Sequence, residues 1–187
     1  MFLSERSGST DLDGPTVLFL HGAAFTAEIW IETGILDTVS EAGLRSVAID
    51  LPGYGMTPAI NSDRGDFLAA VIAELDDGDG VVVVSPSMSG SWSLDLIASD
   101  GAGSMRGFVP VAPVGVETFS GLPLVEGLPT LIVWGADDDV ISPLLAEDLA
   151  TVLVDSRVEI VDEAGHAVYR NQPDAFSELL LGFVESL

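Results

Sequence analysis

Short runs of apolar, β-branched residues alternate along this chain with longer stretches in which apolar residues recur at helical spacing. The runs predict six strands, at Val17–Leu20, Ser46–Ile49, Val81–Val84, Phe108–Ala112, Thr130–Trp134 and Val158–Val161. The stretches between them predict helices near Ala27–Glu41, Phe67–Leu75, Ser87–Ser99, Leu144–Leu153 and Asp174–Glu185. Nearly continuous apolar strands separated by helices are typical of a parallel sheet that is covered on both faces. The pattern therefore predicts a doubly wound α/β domain, which binds its ligands at the carboxyl ends of the strands.

A serine-centred segment follows the strand of four valines and is the strongest candidate for chemistry. It runs from Ser85 to Gly90, with Ser87 at its centre. A nucleophilic serine is often presented on a sharp strand-to-helix turn with the pattern G-x-S-x-G, because small neighbours allow the backbone segments to approach closely. Ser85 and Ser89 replace both glycines of that pattern, so the local match is partial. The alternative interpretation is a serine-rich turn without chemistry.

Two later loops could complete a catalytic triad with Ser87. Asp138 follows the strand Thr130–Trp134, and His166 follows the strand Val158–Val161. We favour Asp138 over its neighbours Asp137 and Asp139 as the orienting acid, and His166 as the general base. The chain order Ser, Asp, His is that of the α/β-hydrolases and differs from the orders of chymotrypsin and subtilisin. Because each residue follows a predicted strand, all three should meet at the same edge of the sheet.

An oxyanion hole needs two backbone N–H groups directed at the developing negative charge. We expect one from Met88, directly after Ser87, and the other from Ala23 in the loop after the first strand, with Ala24 as the alternative. We interpret His21 in the same loop as structural, since a His-Gly pair shapes this loop in hydrolases.

The connection between the fourth and fifth predicted strands is short. Residues 113–129 include three glycines and three prolines and leave no room for the helical lid of larger hydrolases. We therefore predict a minimal, lidless fold with an open site that suits small or exposed acyl groups. Ala24, Phe25 and Val114 are the residues we expect to contact the substrate.

The composition narrows the range of functions. The chain has 187 residues, 48% of them hydrophobic, which fits one domain spanning residues 1–187. It has no cysteine and two histidines, so a thiol nucleophile and disulfides are excluded, and we predict no metal and no organic cofactor. No apolar run is long enough for a membrane span, and the N-terminus lacks the pattern of a signal peptide, so we expect a cytoplasmic protein.

The charge balance is strongly acidic. Thirty acidic residues oppose six basic ones, all arginine, which gives a formal net charge of −24. Nucleic acids and anionic membranes are therefore poor partners, because binding phosphate requires a basic surface. Self-repulsion at this charge destabilises a compact fold in dilute buffer and is screened by salt. We infer a halophilic source with a salty cytoplasm as a hypothesis. The oligomeric state is left open by the sequence.

Five motifs together resemble the small α/β-hydrolase-domain-containing protein 14 family, and the match extends over nearly the whole chain from Thr16. In this sequence they are L-H-G-x-x-F at Leu20–Phe25, A-I-D-L-P-G-x-G at Ala48–Gly55, S-P-S-x-S-G at Ser85–Gly90, G-F-V-P-V-A-P at Gly107–Pro113 and A-G-H at Ala164–His166. The serine-flanked motif and the G-F-V-P-V-A-P strand are the family-specific ones. Glu163 stands where the family pattern G-A-G-H has its first glycine.

The resemblance implies a lidless serine hydrolase with the triad Ser87, Asp138 and His166. It also implies activity on small activated acyl esters or removal of acyl groups, with possible transfer to coenzyme A. Two departures from the family pattern weaken the inference that this chain transfers acyl groups to coenzyme A. Family members commonly carry a bulkier or basic residue where Ala24 stands, and they have lysines and a more balanced charge.

Three functions follow from the sequence. The leading interpretation is a serine esterase that cleaves small acyl esters through an acyl-enzyme at Ser87. The second is an acyltransferase or deacylase that uses a thiol acceptor such as coenzyme A. The third is a catalytically silent hydrolase fold that binds a ligand or a protein, which is disfavoured because all three triad residues are present. A haloperoxidase-like or carbon–carbon hydrolase activity uses the same triad on the same fold.

Overall fold

A computed structural model describes residues 3–6, 14–100 and 105–187 of the chain. Its strands are β1 Leu3–Arg6, β2 Thr16–Phe19, β3 Ser46–Ile49, β4 Val81–Pro86, β5 Gly107–Val111, β6 Thr130–Gly135 and β7 Ser156–Val161. They form one sheet in the order β1-β3-β2-β4-β5-β6-β7. Every pairing is parallel except that of β1 with β3. The predicted α/β-hydrolase fold with a mostly parallel, doubly wound sheet is confirmed.

Eight helices cover the sheet in the described part of the chain. They are α1 Ile29–Glu32, α2 Ile35–Glu41, α3 Arg64–Leu75, α4 Met88–Asp100, α5 Val116–Phe119, α6 Leu145–Ala150, α7 Val168–Asn171 and α8 Pro173–Val184. Helices α3 to α6 pack on one face, and α1, α2, α7 and α8 pack on the other. None of these helices is long and apolar enough to cross a bilayer.

The valines of β4 show why the strand patterns are so apolar. Val81 and Val83 belong to the cluster beneath α3 to α6, whereas Val82 and Val84 belong to the cluster beneath the other four helices. Alternate side chains point to opposite faces of a sheet, and both faces are buried here, so every position of a central strand must be apolar.

The structure corrects the element predictions at several points. The single helix expected at Ala27–Glu41 is wrong, because Gly34 takes a left-handed conformation (φ 76°) and separates α1 from α2. Helix α3 begins earlier than expected, since the Asp63 carboxylate caps it by accepting the N–H groups of Gly65 and Asp66. The edge strand β1 and the four-residue helices α5 and α7 were not predicted. That residues 1–187 form a single domain stays a prediction.

The connection from β5 to β6 carries only the short helix α5, and no long insertion interrupts it. The carboxyl ends of β2 to β7 lie at one edge of the sheet, and the β5–β6 connection adds only α5 there. The candidate site is built on this edge.

Candidate active site

Ser87 lies on a strained turn between β4 and α4. Its φ angle is 50°, in the left-handed region that L-residues other than glycine seldom adopt. The turn is held on both sides: the Ser87 N–H donates to the Val111 carbonyl, and the Ser87 carbonyl accepts from Gly90 and Val114. This arrangement lifts the Ser87 hydroxyl above the end of the sheet, in the geometry of a nucleophile elbow.

The serines that replace the usual glycines form a buried hydroxyl cluster. The Ser89 hydroxyl donates to the Pro86 carbonyl at 2.8 Å and lies 3.3 Å from the Ser85 hydroxyl, which in turn lies 2.8 Å from that of Ser93. All three serines are buried. Serine fits these positions because each added hydroxyl finds a partner, so no polar group is buried unpaired. Ser93 was missed in the sequence, although its spacing of four residues from Ser89 places both on one helix face.

His166 connects Ser87 to Asp138 through its two ring nitrogens. The Ser87 hydroxyl donates to His166 Nε2, and His166 Nδ1–H donates to Asp138 Oδ2, both at 2.8 Å. A carboxylate only accepts hydrogen bonds, which fixes the proton of the neutral ring on Nδ1 and leaves Nε2 free to accept. Nε2 can therefore take the proton of the serine hydroxyl.

Of the three consecutive aspartates, the structure places Asp138 against His166 and leaves Asp137 and Asp139 exposed. The second oxygen of Asp138 accepts the backbone N–H groups of Val140 and Ile141, each at 2.9 Å. The Asp138 side chain is completely buried, and these hydrogen bonds supply the partners that a buried carboxylate requires.

The loop that carries His166 is fixed from two sides. Glu163 has a φ of 56°, which turns the chain back sharply after β7. The Gly165 N–H donates to the Asn171 side-chain oxygen at 3.0 Å, which ties the loop to α7. No motif in the sequence pointed to Asn171.

One expected oxyanion donor, Met88, follows Ser87 directly, and the other, Ala23, follows Gly22, which contacts Ser87. Met88 is the first residue of α4, and the first N–H groups of a helix have no acceptor within it. Ala23 lies in a turn closed by the hydrogen bond from Phe25 N–H to the Gly22 carbonyl, which leaves its own N–H outside the turn. Gly22 contacts Ser87, so the turn lies against the nucleophile.

The residues expected to contact the substrate flank Ser87. The loop after β2 carries Ala24 and Phe25, the loop after β5 carries Val114, and β4 lies between these two strands. Val114 and Ala24 are exposed, and Phe25 is half-buried. An open cleft of about 380 Å³ lies at this turn, lined by residues that include Ala23, Ala24, Phe25, Glu28 and Glu32.

His21 forms hydrogen bonds with two backbone groups and takes no part in the triad. Its Nδ1–H donates to the Gly22 carbonyl at 2.9 Å, and its Nε2 accepts the Leu51 N–H at 3.0 Å. Burial lowers the pKa of His21, which keeps the ring neutral as these two bonds require. His21 thus joins the loops after β2 and β3. Among the described residues, no three His, Asp or Glu side chains converge in the way a metal site requires.

Comparison with known proteins places this geometry in a family. The model of the alpha/beta hydrolase family matches residues 17–126. "Putative protein-lysine deacylase ABHD14B" of Rattus norvegicus is 37% identical over 194 residues, which cover the whole of this chain and 90% of that protein. "Protein ABHD14A" of Mus musculus is 36% identical over 177 residues, covering 91% of this chain and 70% of that protein.

Solved structures agree with the sequence relatives. The crystal structure of a "predicted CIB-like hydrolase" from Thermoplasma acidophilum superimposes with a TM-score of 0.87 at 25% identity, covering 99% of this chain and 93% of that one. The esterase RhEst1 from Rhodococcus sp. shares the fold, with a TM-score of 0.80 at 18% identity over 99% of this chain and 95% of that one. This chain therefore belongs to the alpha/beta hydrolase family and, within it, to the ABHD14 group.

Proposed function

We propose that this protein is a serine hydrolase that cleaves small acyl esters through an acyl-enzyme at Ser87. The observation that carries the proposal is the unbroken line of hydrogen bonds from Asp138 through His166 to the Ser87 hydroxyl. Ser87 and His166 both keep partial exposure, so a substrate can reach them.

Each residue has one role in the proposed reaction. Ser87 Oγ attacks the carbonyl carbon as its proton passes to His166 Nε2, and the carbonyl π electrons move onto the oxygen. The N–H groups of Met88 and Ala23 stabilise that oxyanion. Its collapse breaks the bond to the leaving alcohol, which takes the proton from His166. Water then attacks the acyl carbon and gives its proton to His166 Nε2. Collapse of this second oxyanion breaks the bond to Ser87 Oγ, which takes the proton from His166 as the free acid leaves.

The loop after β2 favours a substrate without negative charge near Ser87. The cleft of about 380 Å³ beside Ala23 and Phe25 is not lined by Ser87, so it adjoins the nucleophile and its volume does not measure an acyl pocket. Two exposed carboxylates, Glu28 and Glu32, line this cleft and repel an anionic group.

The rat relative supports a second candidate, the removal of an acyl group from a protein lysine, because it bears the name "Putative protein-lysine deacylase ABHD14B". An open site admits an acylated side chain that is carried on a large protein. The carboxylates of the cleft favour a leaving group that becomes cationic. Transfer to coenzyme A receives less support, since Ala24 offers no charge to hold an anionic acceptor and the chain carries −24 overall.

The first test is labelling with a fluorophosphonate in molar KCl, read by intact mass. We expect a single adduct on the wild type and none on Ser87→Ala. Ser91→Ala is the matched control, because the Ser91 hydroxyl donates to the Met88 carbonyl within α4, and it should label like the wild type.

An active wild type would then be assayed on aryl esters of increasing acyl length and on an acyl-lysine peptide, each with and without coenzyme A. Folded wild type that forms no adduct would contradict the proposal and favour the non-catalytic binding protein.

A further inference from the structure

Tyr169 is a buried tyrosine next to the site that the reaction described above does not use. Only 2% of it is exposed. Its ring packs against Trp30, with ring centroids 4.6 Å apart, and against Phe25 and Phe176 at 6.2 and 6.3 Å. Three aromatic neighbours hold the ring in one orientation, so the hydroxyl has a fixed position.

The Tyr169 hydroxyl makes no hydrogen bond to any residue in the described part of the chain. Buried phenolic hydroxyls normally find a partner, since an unpaired one costs free energy. Among the described residues, only Trp92 Nε1 is a side-chain polar atom that is both fully enclosed and without a hydrogen-bond partner. The Tyr169 hydroxyl also lacks a partner among these residues but is not fully enclosed, so it is free to bind a group that enters the site.

Gly22 shows which way this hydroxyl faces. A Cβ atom on Gly22 would lie 3.4 Å from the Ser87 Cβ and 3.8 Å from the Tyr169 hydroxyl oxygen. Both atoms therefore border the same small space, which any side chain at position 22 would fill. The Tyr169 hydroxyl therefore lies beside Gly22, at the turn that also carries the expected oxyanion donor Ala23.

We propose that Tyr169 is a further catalytic residue, whose hydroxyl donates a hydrogen bond to the oxyanion that forms at Ser87. The inference rests on the proposed serine-hydrolase function. It adds a side-chain donor to the two backbone N–H groups of Ala23 and Met88.

The environment of Tyr169 suits this role. A hydrogen-bond donor must keep its proton, and burial raises the pKa of Tyr169 far above its ordinary value, with a smaller opposing effect from the positive charge of Arg170. The oxygen of a tetrahedral intermediate carries more negative charge than that of an ester, so a bond to it strengthens as the reaction proceeds. A donor held by packing needs no rearrangement at that moment.

The test is Tyr169→Phe, which removes one oxygen and keeps the ring. We expect kcat on an aryl acetate to fall by about 10- to 100-fold, below the loss typical of a main oxyanion donor, with KM little changed. Affinity for a trifluoromethyl ketone, which forms a tetrahedral adduct with the serine, should fall by a similar factor. The melting temperature should stay unchanged, because the hydroxyl has no partner in the described protein.

Phe183→Leu is the control, because Phe183 is buried in the same hydrophobic cluster but lies against Gly107 at the start of β5, away from the carboxyl ends of the strands. It should lower the melting temperature and keep kcat. Wild-type kcat in Tyr169→Phe, or an equal loss of kcat in Phe183→Leu, would overturn the inference. A wild type with neither turnover nor fluorophosphonate labelling would instead refute the proposed function itself.

Discussion

At the scale of single residues, the environment and not the residue type selects the acid. Asp137, Asp138 and Asp139 are chemically identical in the sequence, yet only Asp138 is buried. Its position is fixed by the loop: the Trp134 indole N–H donates to the Ile141 carbonyl, and the Ile141 N–H donates to Asp138. The carboxylate therefore reaches His166 with its orientation already set.

Asp138→Asn should reduce kcat by roughly 10³- to 10⁴-fold, because an amide can donate to His166 Nδ1 and so stabilises the wrong tautomer of the ring. The measurement is steady-state hydrolysis of an aryl ester. Asp137→Asn is the matched control, since it removes one charge at the neighbouring exposed position, and its kcat should stay within about two-fold of the wild type, as surface changes are usually small. Equal losses in both variants would contradict the assignment of the acid.

At the scale of elements, the elbow depends on close packing between α4 and the loop after β5. A Cβ on Gly90 would lie 2.3 Å from the Cβ of Pro113 and 2.7 Å from its Cα. The two segments can therefore approach only because position 90 lacks a side chain. The same loop donates the Val114 N–H to the Ser87 carbonyl, so this contact also positions the nucleophile.

Gly90→Ala should destabilise the protein by about 1–3 kcal/mol, because the added methyl group forces α4 and the Pro113 loop apart. It should also slow fluorophosphonate labelling of Ser87. Gly182→Ala in α8 is the control, since nothing lies within 4 Å of a Cβ there, and the higher helix propensity of alanine should add up to about 1 kcal/mol. Unfolding in urea measures the free energy of unfolding of both variants. A stable, fully reactive Gly90→Ala would show that the contact is dispensable.

The sequence predicted the central elements well because their signal is local. Both faces of β4 are buried, so its residues are uniformly apolar and easy to recognise. Strand β1 carries a weak signal, since three of its four residues are polar and it pairs only at the edge of the sheet. Helices α5 and α7 have four residues each, too few for a periodic pattern.

The triad could be proposed from order and spacing, whereas its supporting residues could not. Ser87, Asp138 and His166 each follow a strand, and parallel strands bring their carboxyl ends to one edge. The positions of Tyr169 and Asn171 depend on how α7 packs against the loops beside it. In the sequence, an aromatic residue three positions after His166 looks like any other core residue.

At the scale of the whole molecule, charge opposes folding. The chain carries a net charge of −24 on 187 residues, so few of its acidic side chains can form an ion pair with a basic one. Arg45 and Glu5, whose charged atoms lie 2.7 Å apart, form one such pair. We keep the halophilic origin as a proposal, because repulsion of this kind is reduced when the Debye length falls to about 3 Å in molar salt.

The melting temperature should therefore rise as KCl is raised from 0.05 M to 2 M. For a chain of this size, each kcal/mol of relieved repulsion raises it by roughly 2–4 °C. Differential scanning calorimetry measures the change, and sucrose at matched osmolality controls for general stabilisation. A flat or falling curve in KCl would refute the proposed salt dependence.

The short connection between β5 and β6 bears on which step can limit the rate of turnover. In many enzymes a closing segment commits the substrate, and its reopening limits the release of product. With α5 as the only helix in that connection, the proposed hydrolase has no such segment there to open or close. Opening of a gate in this connection therefore does not limit the release of product. The open site also leaves the proposed acyl-enzyme in contact with bulk water. Any competing acceptor must therefore react with the acyl group faster than water does.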